Sequence, residues 1–129
     1  MSSPTARTKQ FLERLGWEVG TVERYNSFIK RKFDLFNFID LVCMAYPHPP
    51  CGLVAVQTTS GSNHAARRSK ITGEPKIAES AKRWLKCGGH IWIISWTKRK
   101  KPAKWQPRIE IITEDLFHAE PLGDLAASK

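Results

Sequence analysis

Asp40, Gln57 and Thr59 are the residues of this 129-residue chain whose types and spacing point most directly to chemistry. Asp40 stands inside the apolar run Phe38-Ile39-Asp40-Leu41-Val42. A carboxylate there is costly to bury unless a cation or hydrogen-bond donors meet it. It either pairs with an arginine, caps a neighbouring loop, or ligates a metal. Gln57 and Thr59 flank Thr58 at the end of the run Leu53–Val56. On a strand their side chains share one face. If the strands bearing Asp40 and Gln57 are neighbours, a carboxylate, an amide oxygen and a hydroxyl meet at one end of a sheet. The Thr58 carbonyl is a further candidate donor. Such hard oxygen donors suit Mg²⁺ or Mn²⁺. A cation held this way polarises a phosphodiester and lowers the pKa of an attacking water.

The elements that must position these residues are legible from pattern. Ser3 caps and Pro4 starts a helix over 4–16, with Phe11, Leu12 and Leu15 as its apolar stripe and Gly16 as its stop. "WEVGTVERY" alternates as a first strand, with Trp17, Val19, Thr21 and Glu23 on one face. "NSFIKRKF" reads as a basic connector. A second strand is expected over Phe36–Tyr46, ended by the proline-rich turn "PHPPCG". "GLVAVQTTS" is the third strand, apolar enough to be covered on both faces. A short helix from Ser62 or Asn63 to Lys70 and a firmer one over Pro75–Lys86 follow, the second with Ile77, Ala78, Ala81, Trp84 and Leu85 on one side. "HIWIISW" is a strand, "TKRKKPAKW" a basic turn, "QPRIEIIT" a last strand, and 114–119 a helical turn. A helical crossover makes strands three and four parallel, while short connections make strands one to three antiparallel. The expectation is an α/β fold: a mixed central sheet flanked by helices, one domain over 1–119, and a flexible tail over 120–129.

That order, with an acid on strand two and a motif closing strand three, resembles the PD-(D/E)xK nuclease superfamily. Within it the chain is most similar to the small Holliday-junction resolvase-like enzymes. "LERLGWEVGTVER" matches the family's first helix and strand, "FIDLVCM" its acid-bearing strand, and "LVAVQTTS" the strand that carries acid-x-lysine. "SAKRWLKCGGHIWIISW" matches the next helix and strand. The stretch "DLFNFIDLV…VAVQTTSGSNHAAR" also resembles a group of small phage and prophage proteins with this fold. The resemblance implies a restriction-endonuclease-like αβββαβ core with an extra C-terminal strand. It implies a Mg²⁺- or Mn²⁺-dependent DNA endonuclease acting on branched or duplex DNA, with a homodimer as the candidate assembly. Asp40 becomes the principal metal ligand. The chain departs from the family at two positions: Gln57 replaces the second acid and Thr59 the lysine that stabilises charge on phosphate. Arg67 or Lys70 is the candidate replacement cation. Asp34 is either a second metal carboxylate or a surface partner of Lys30 or Arg31. The alternative is a DNA-binding protein of the same fold that no longer cleaves.

Lys and Arg number 21 against 12 for Asp and Glu, a net charge of +9. That balance points to a polyanion, nucleic acid before an anionic membrane, or serves solubility alone. Candidate DNA contacts are Lys30, Arg31 and Lys32; His64 and Arg68; and Lys98, Arg99, Lys100, Lys101 and Lys104. Each run is otherwise a solvated loop, and His64 otherwise a capping or packing residue. Trp92, Trp96 and Trp105 are core residues or base-stacking platforms. The three cysteines, Cys43, Cys51 and Cys87, are odd in number and lack a CxxC spacing, which points to reduced thiols in a cytoplasm. With His48 and His90 they match no zinc pattern. No apolar run has the length of a membrane span and the N-terminus lacks a signal-peptide core. The expected setting is the cytoplasm of a bacterium or a phage-infected cell.

Overall fold

The computed structural model describes residues 3–117, so the expected tail over 120–129 lies outside the described residues. Helix α1 (Pro4–Arg14) begins where the Ser3 hydroxyl accepts the Ala6 amide at 3.1 Å. It ends before Gly16, whose φ of +90° supplies the left-handed residue that closes a helix. Strand β1 (Glu18–Thr21) leads to a small hairpin, β2 (Arg24–Asn26) and β3 (Arg31–Phe33). Strand β4 (Leu41–Ala45) pairs antiparallel with both β1 and β5 (Gly52–Ser60). A single 3-10 turn over Gly61–Asn63, then α2 (His64–Gly73) and α3 (Pro75–Lys86), cross over to β6 (His90–Lys100). β6 lies parallel to β5, and β7 (Ala103–Ile112) returns antiparallel beside it. The result is an α/β fold whose five-stranded mixed sheet has the order β1-β4-β5-β6-β7.

Each face of the sheet buries its own core. On one, Leu12, Leu41, Cys43, Val54, Val56, Trp92, Ile94 and Trp96 pack beneath α1. On the other, Phe38, Ile39, Ala55, Ile71, Ala81, Ile91, Ile93 and Ile112 pack beneath α2 and α3. Full burial of such side chains contributes about 1.5–3 kcal/mol each. Period-two alternation along β5 therefore sends Val54, Val56 and Thr58 to the α1 face. Ala55, Gln57 and Thr59 face the α2 side.

Three expectations are corrected. The second long strand begins at Leu41, not Phe36. Phe36 and Asn37 have φ of +54° and +68°, and Leu35 bridges to Ile39, so 35–39 is a tight reversal. Phe38 and Ile39 drop from it into the core as anchors. The connector at 26–33 is largely the β2–β3 hairpin, in which the Asn26 side-chain oxygen accepts the Phe28 and Ile29 amides at 2.9 and 3.4 Å. Third, "TKRKKPAKW" is mostly strand: β6 and β7 stay paired out to Lys100 and Ala103 around Lys101-Pro102. Among the described residues no helix is long and apolar enough to cross a membrane.

Candidate metal centre

The two reversals converge on Asp40. The Asp40 amide donates to the Val56 carbonyl at 2.9 Å, and the Asp40 carbonyl accepts the Val22 amide at 3.0 Å. Its backbone is thus clamped between the residue after β1 and the middle of β5. Since Leu41 pairs with Val56, Asp40 lies opposite Gln57 on the α2 face, as the alternation requires. One carboxylate oxygen, Oδ2, accepts the Thr58 backbone N–H at 2.8 Å and the Gln57 amide Nε2–H at 2.9 Å. The same Nε2 stands 3.5 Å from Asp34 Oδ2. Glu23 precedes β2 and Asp34 follows β3, so closing the hairpin brings them together. The reversal at 35–39 then folds Asp34 onto Asp40. One oxygen from each of Glu23, Asp34 and Asp40 lies within 4.8 Å of the others.

Carboxylates this close repel one another unless a proton or a cation is shared among them. Asp40 is only 4 % exposed. Burial, reinforced by the neighbouring Asp34 and Glu23 carboxylates, pushes its pKa from 3.8 up to about 8, against the pull of the Thr58 N–H. A second observation points the same way. Gln57 is 2 % exposed, yet its Oε1 has no hydrogen-bond partner. Burying an amide oxygen unsatisfied costs about 1–3 kcal/mol. The three carboxylates form a hard-oxygen donor set able to hold a metal ion; Gln57 turns its Nε2 to them, so its spare oxygen would join only if the amide rotated.

The cluster opens to solvent on one side. A cleft of about 470 Å³ is lined by Asp34 together with Arg31, Lys32, Lys70 and Lys76. Lys70 therefore stands beside the acids' cleft. Arg67 is half-buried, one turn beyond His64 on α2, with its Nε buried and unpartnered. Thr59 is 5 % exposed and shares the Gln57 face, with Ser95 as its β6 neighbour. Asp34 joins the acidic cluster.

His64 is not at the surface. Its ring is 1 % exposed. Nδ1 lies 2.6 Å from Ser95 Oγ and Nε2 lies 2.8 Å from Glu110 Oε1. Glu110 also accepts from Arg68 Nε at 2.7 Å. The expected DNA contact is instead a buried tie between α2, β6 and β7, while Arg68 keeps an exposed side chain beside it. Lys30, Arg31, Lys32, Lys98, Arg99, Lys100, Lys101 and Lys104 are all exposed. Trp92 and Trp96 are core. Trp105 is 38 % exposed and carries the Arg7 guanidinium 3.7 Å above its ring. Cys43 is buried, which pushes its thiol up to about 12, and Cys51 and Cys87 are exposed and free.

Glu23 is the metal-capable residue that pattern reading missed as a ligand. It appeared only as the last alternating position of a first strand. Its placement depends on the hairpin, whose one local signal is Asn26-Ser27 between short runs. Comparison of the chain with protein-family models, curated proteins and solved structures finds no match among any of them.

Proposed function

We propose that the protein is a metal-dependent DNA endonuclease of the PD-(D/E)xK type, using Mg²⁺ or Mn²⁺. The observation that carries this reading is the convergence of Glu23, Asp34 and Asp40 within 4.8 Å, with the buried Gln57 amide against them. The order α1-β1-β4-β5, crossover helices, β6 supports a restriction-endonuclease-like core, with the β2–β3 hairpin inserted and β7 as the extra strand. Glu23 and Asp34 compensate for the acid replaced by Gln57. When bound, the ion would lower the pKa of a water and polarise a phosphodiester.

The chain's own groups do the rest. The Thr58 N–H fixes the Asp40 carboxylate. Rotation of the Gln57 amide exchanges Nε2 for Oε1 and so turns a donor to the acids into a donor atom for a cation. Lys70, Arg31, Lys32 and Lys76 line the cleft and neutralise phosphate charge beside the acids. Lys70, which lines the cleft, is the candidate to replace the lysine lost at Thr59; Arg67 does not line it.

A labelled four-way junction and a linear duplex, incubated in Mg²⁺, Mn²⁺ or EDTA, test the reading. Metal-dependent cutting that disappears in Asp40→Ala is expected. Tight binding with no cutting in either metal would sink the enzyme and favour the binding protein. One observation favours that second reading: Thr59, in the lysine's place, is buried and cannot offer a cation. Sedimentation on and off DNA reads the proposed homodimer.

A further inference from the structure

The β2–β3 hairpin buries almost nothing. Every residue from Arg24 to Phe33 is exposed. Phe28 at its tip is 95 % exposed, with Tyr25 at 60 % and Ile29 at 53 % beside it. Arg24, Lys30, Arg31 and Lys32 are interleaved with these apolar side chains, and no acid lies between Arg24 and Phe33. The turn is nonetheless built: the Asn26 side chain accepts two tip amides, and Lys30 takes a φ of +52°. A defined turn thus holds an aromatic out into water among cations.

The roots of the hairpin identify what it meets. Its legs begin at Glu23 and end at Asp34, two of the three carboxylates of the metal centre. Whatever the tip grips is therefore presented to that centre. Cations that neutralise phosphate, with an aromatic face that takes a base, match a nucleic acid strand. A membrane would satisfy the cations and Phe28 but would leave the acidic roots against an anionic surface. We propose that the hairpin is a wedge that stacks Phe28 against a nucleobase displaced from its helix, so that the protein selects DNA with an unpaired base near the phosphate it engages. This rests on the nuclease reading for the role of the acids, though not for the stacking itself. An extended leg rises about 3.3 Å per residue, so Phe28 at the tip lies no more than about 17 Å from Glu23, the nearer of the two root acids in the chain. At about 3.4 Å per nucleotide, the stacked base is within about five nucleotides of that phosphate.

The test measures binding of the full chain in Ca²⁺ to a fully paired duplex and to the same duplex with one unpaired base. Wild type is expected to prefer the unpaired base by about tenfold or more, the size of one base–aromatic stack. Phe28→Ala should erase that preference while leaving duplex affinity and the thermal midpoint unchanged, because the side chain is exposed. Phe28→Trp should restore it. An unchanged preference in Phe28→Ala overturns the wedge. So does Phe28-dependent binding to phosphatidylserine vesicles without Phe28 dependence on DNA. Loss of the nuclease reading looks different: no cutting in Mg²⁺ or Mn²⁺, with the Phe28-dependent preference intact.

Discussion

Asp40 is held by two donors and pressed by two carboxylates, and burial decides the balance. Its pKa stands at about 8 in the folded chain against 3.8 for the free group. The folded state therefore binds the proton more tightly than the unfolded one. The stability that Asp40 contributes to the metal-free chain is fully present below about pH 4 and is lost as pH rises through about 8. Each tenfold gain in proton affinity corresponds to about 1.4 kcal/mol, so the loss is on the order of a few kcal/mol. Asp40→Asn keeps the shape and removes the charge. In EDTA it should melt well above wild type at pH 8 and close to it at pH 4; coincident curves at both pH values would refute the buried, raised carboxyl. Metal uptake at pH 7 must then expel that proton. Titration calorimetry in two buffers of different ionisation enthalpy should show close to one proton released by wild type and almost none by Asp40→Asn. Asp34→Asn and Glu23→Gln should each weaken metal binding by at least about tenfold, in line with the loss of a tuned ligand. The Asp40–Gln57 contact was legible in the sequence on the condition that the two strands pair, a condition that the Leu41–Val56 register meets. Glu23 was not, since its approach depends on a hairpin and a left-handed reversal that no local periodicity encodes.

Helix α2 reaches its place through His64, whose ring joins Ser95 on β6 to Glu110 on β7 inside the structure. His64→Ala would strand the buried Ser95 hydroxyl, leave Glu110 to Arg68 alone, and open a cavity. We expect it to cost about 2–4 kcal/mol in denaturant unfolding. Its effect on the salt dependence of DNA binding should be negligible, which separates a packing histidine from a phosphate contact. The junction of α3 and β6 has a comparable constraint. A Cβ at Gly89 would collide with the Trp84 indole, which donates to the His90 carbonyl at 2.8 Å. Gly88 instead needs its φ of +91°. These two glycines were readable as a stop between helix and strand, but only the packed indole shows why the second must lack a side chain. The helices, the parallel β5–β6 pair and the antiparallel β4–β5 pair were similarly legible, since capping, apolar stripes and crossover length are local signals. The hairpin at 24–33 and the extension of β6–β7 were not. Charged strands that face water carry no apolar alternation to reveal them.

Charge is distributed by the direction of the strands. β5 and β6 run parallel and β4 runs against them, so the start of β4 and the ends of β5 and β6 share one edge of the sheet. That edge carries the acids, the roots of the β2–β3 hairpin, and the β6–β7 hairpin with Lys98, Arg99, Lys100 and Lys101. The opposite edge bears the loop Tyr46–Cys51, which has no Asp, Glu, Lys or Arg. If the proposed DNA partner is real, the four cations of the β6–β7 hairpin would draw its phosphates to this end. Phosphate contacts release counterions, and each contributes about −0.9 to the slope of log affinity against log salt on duplex DNA. Replacing Lys98, Arg99, Lys100 and Lys101 by Gln should therefore flatten that slope by about 0.9 for every one that touches phosphate, with equal loss on all sequences. Tyr46→Ala, in that uncharged loop and 75 % exposed, should leave the slope untouched. An unaltered slope in the quadruple variant would mean that the long β6–β7 hairpin only keeps the protein soluble, and that the DNA path crosses the β2–β3 hairpin and the cleft alone.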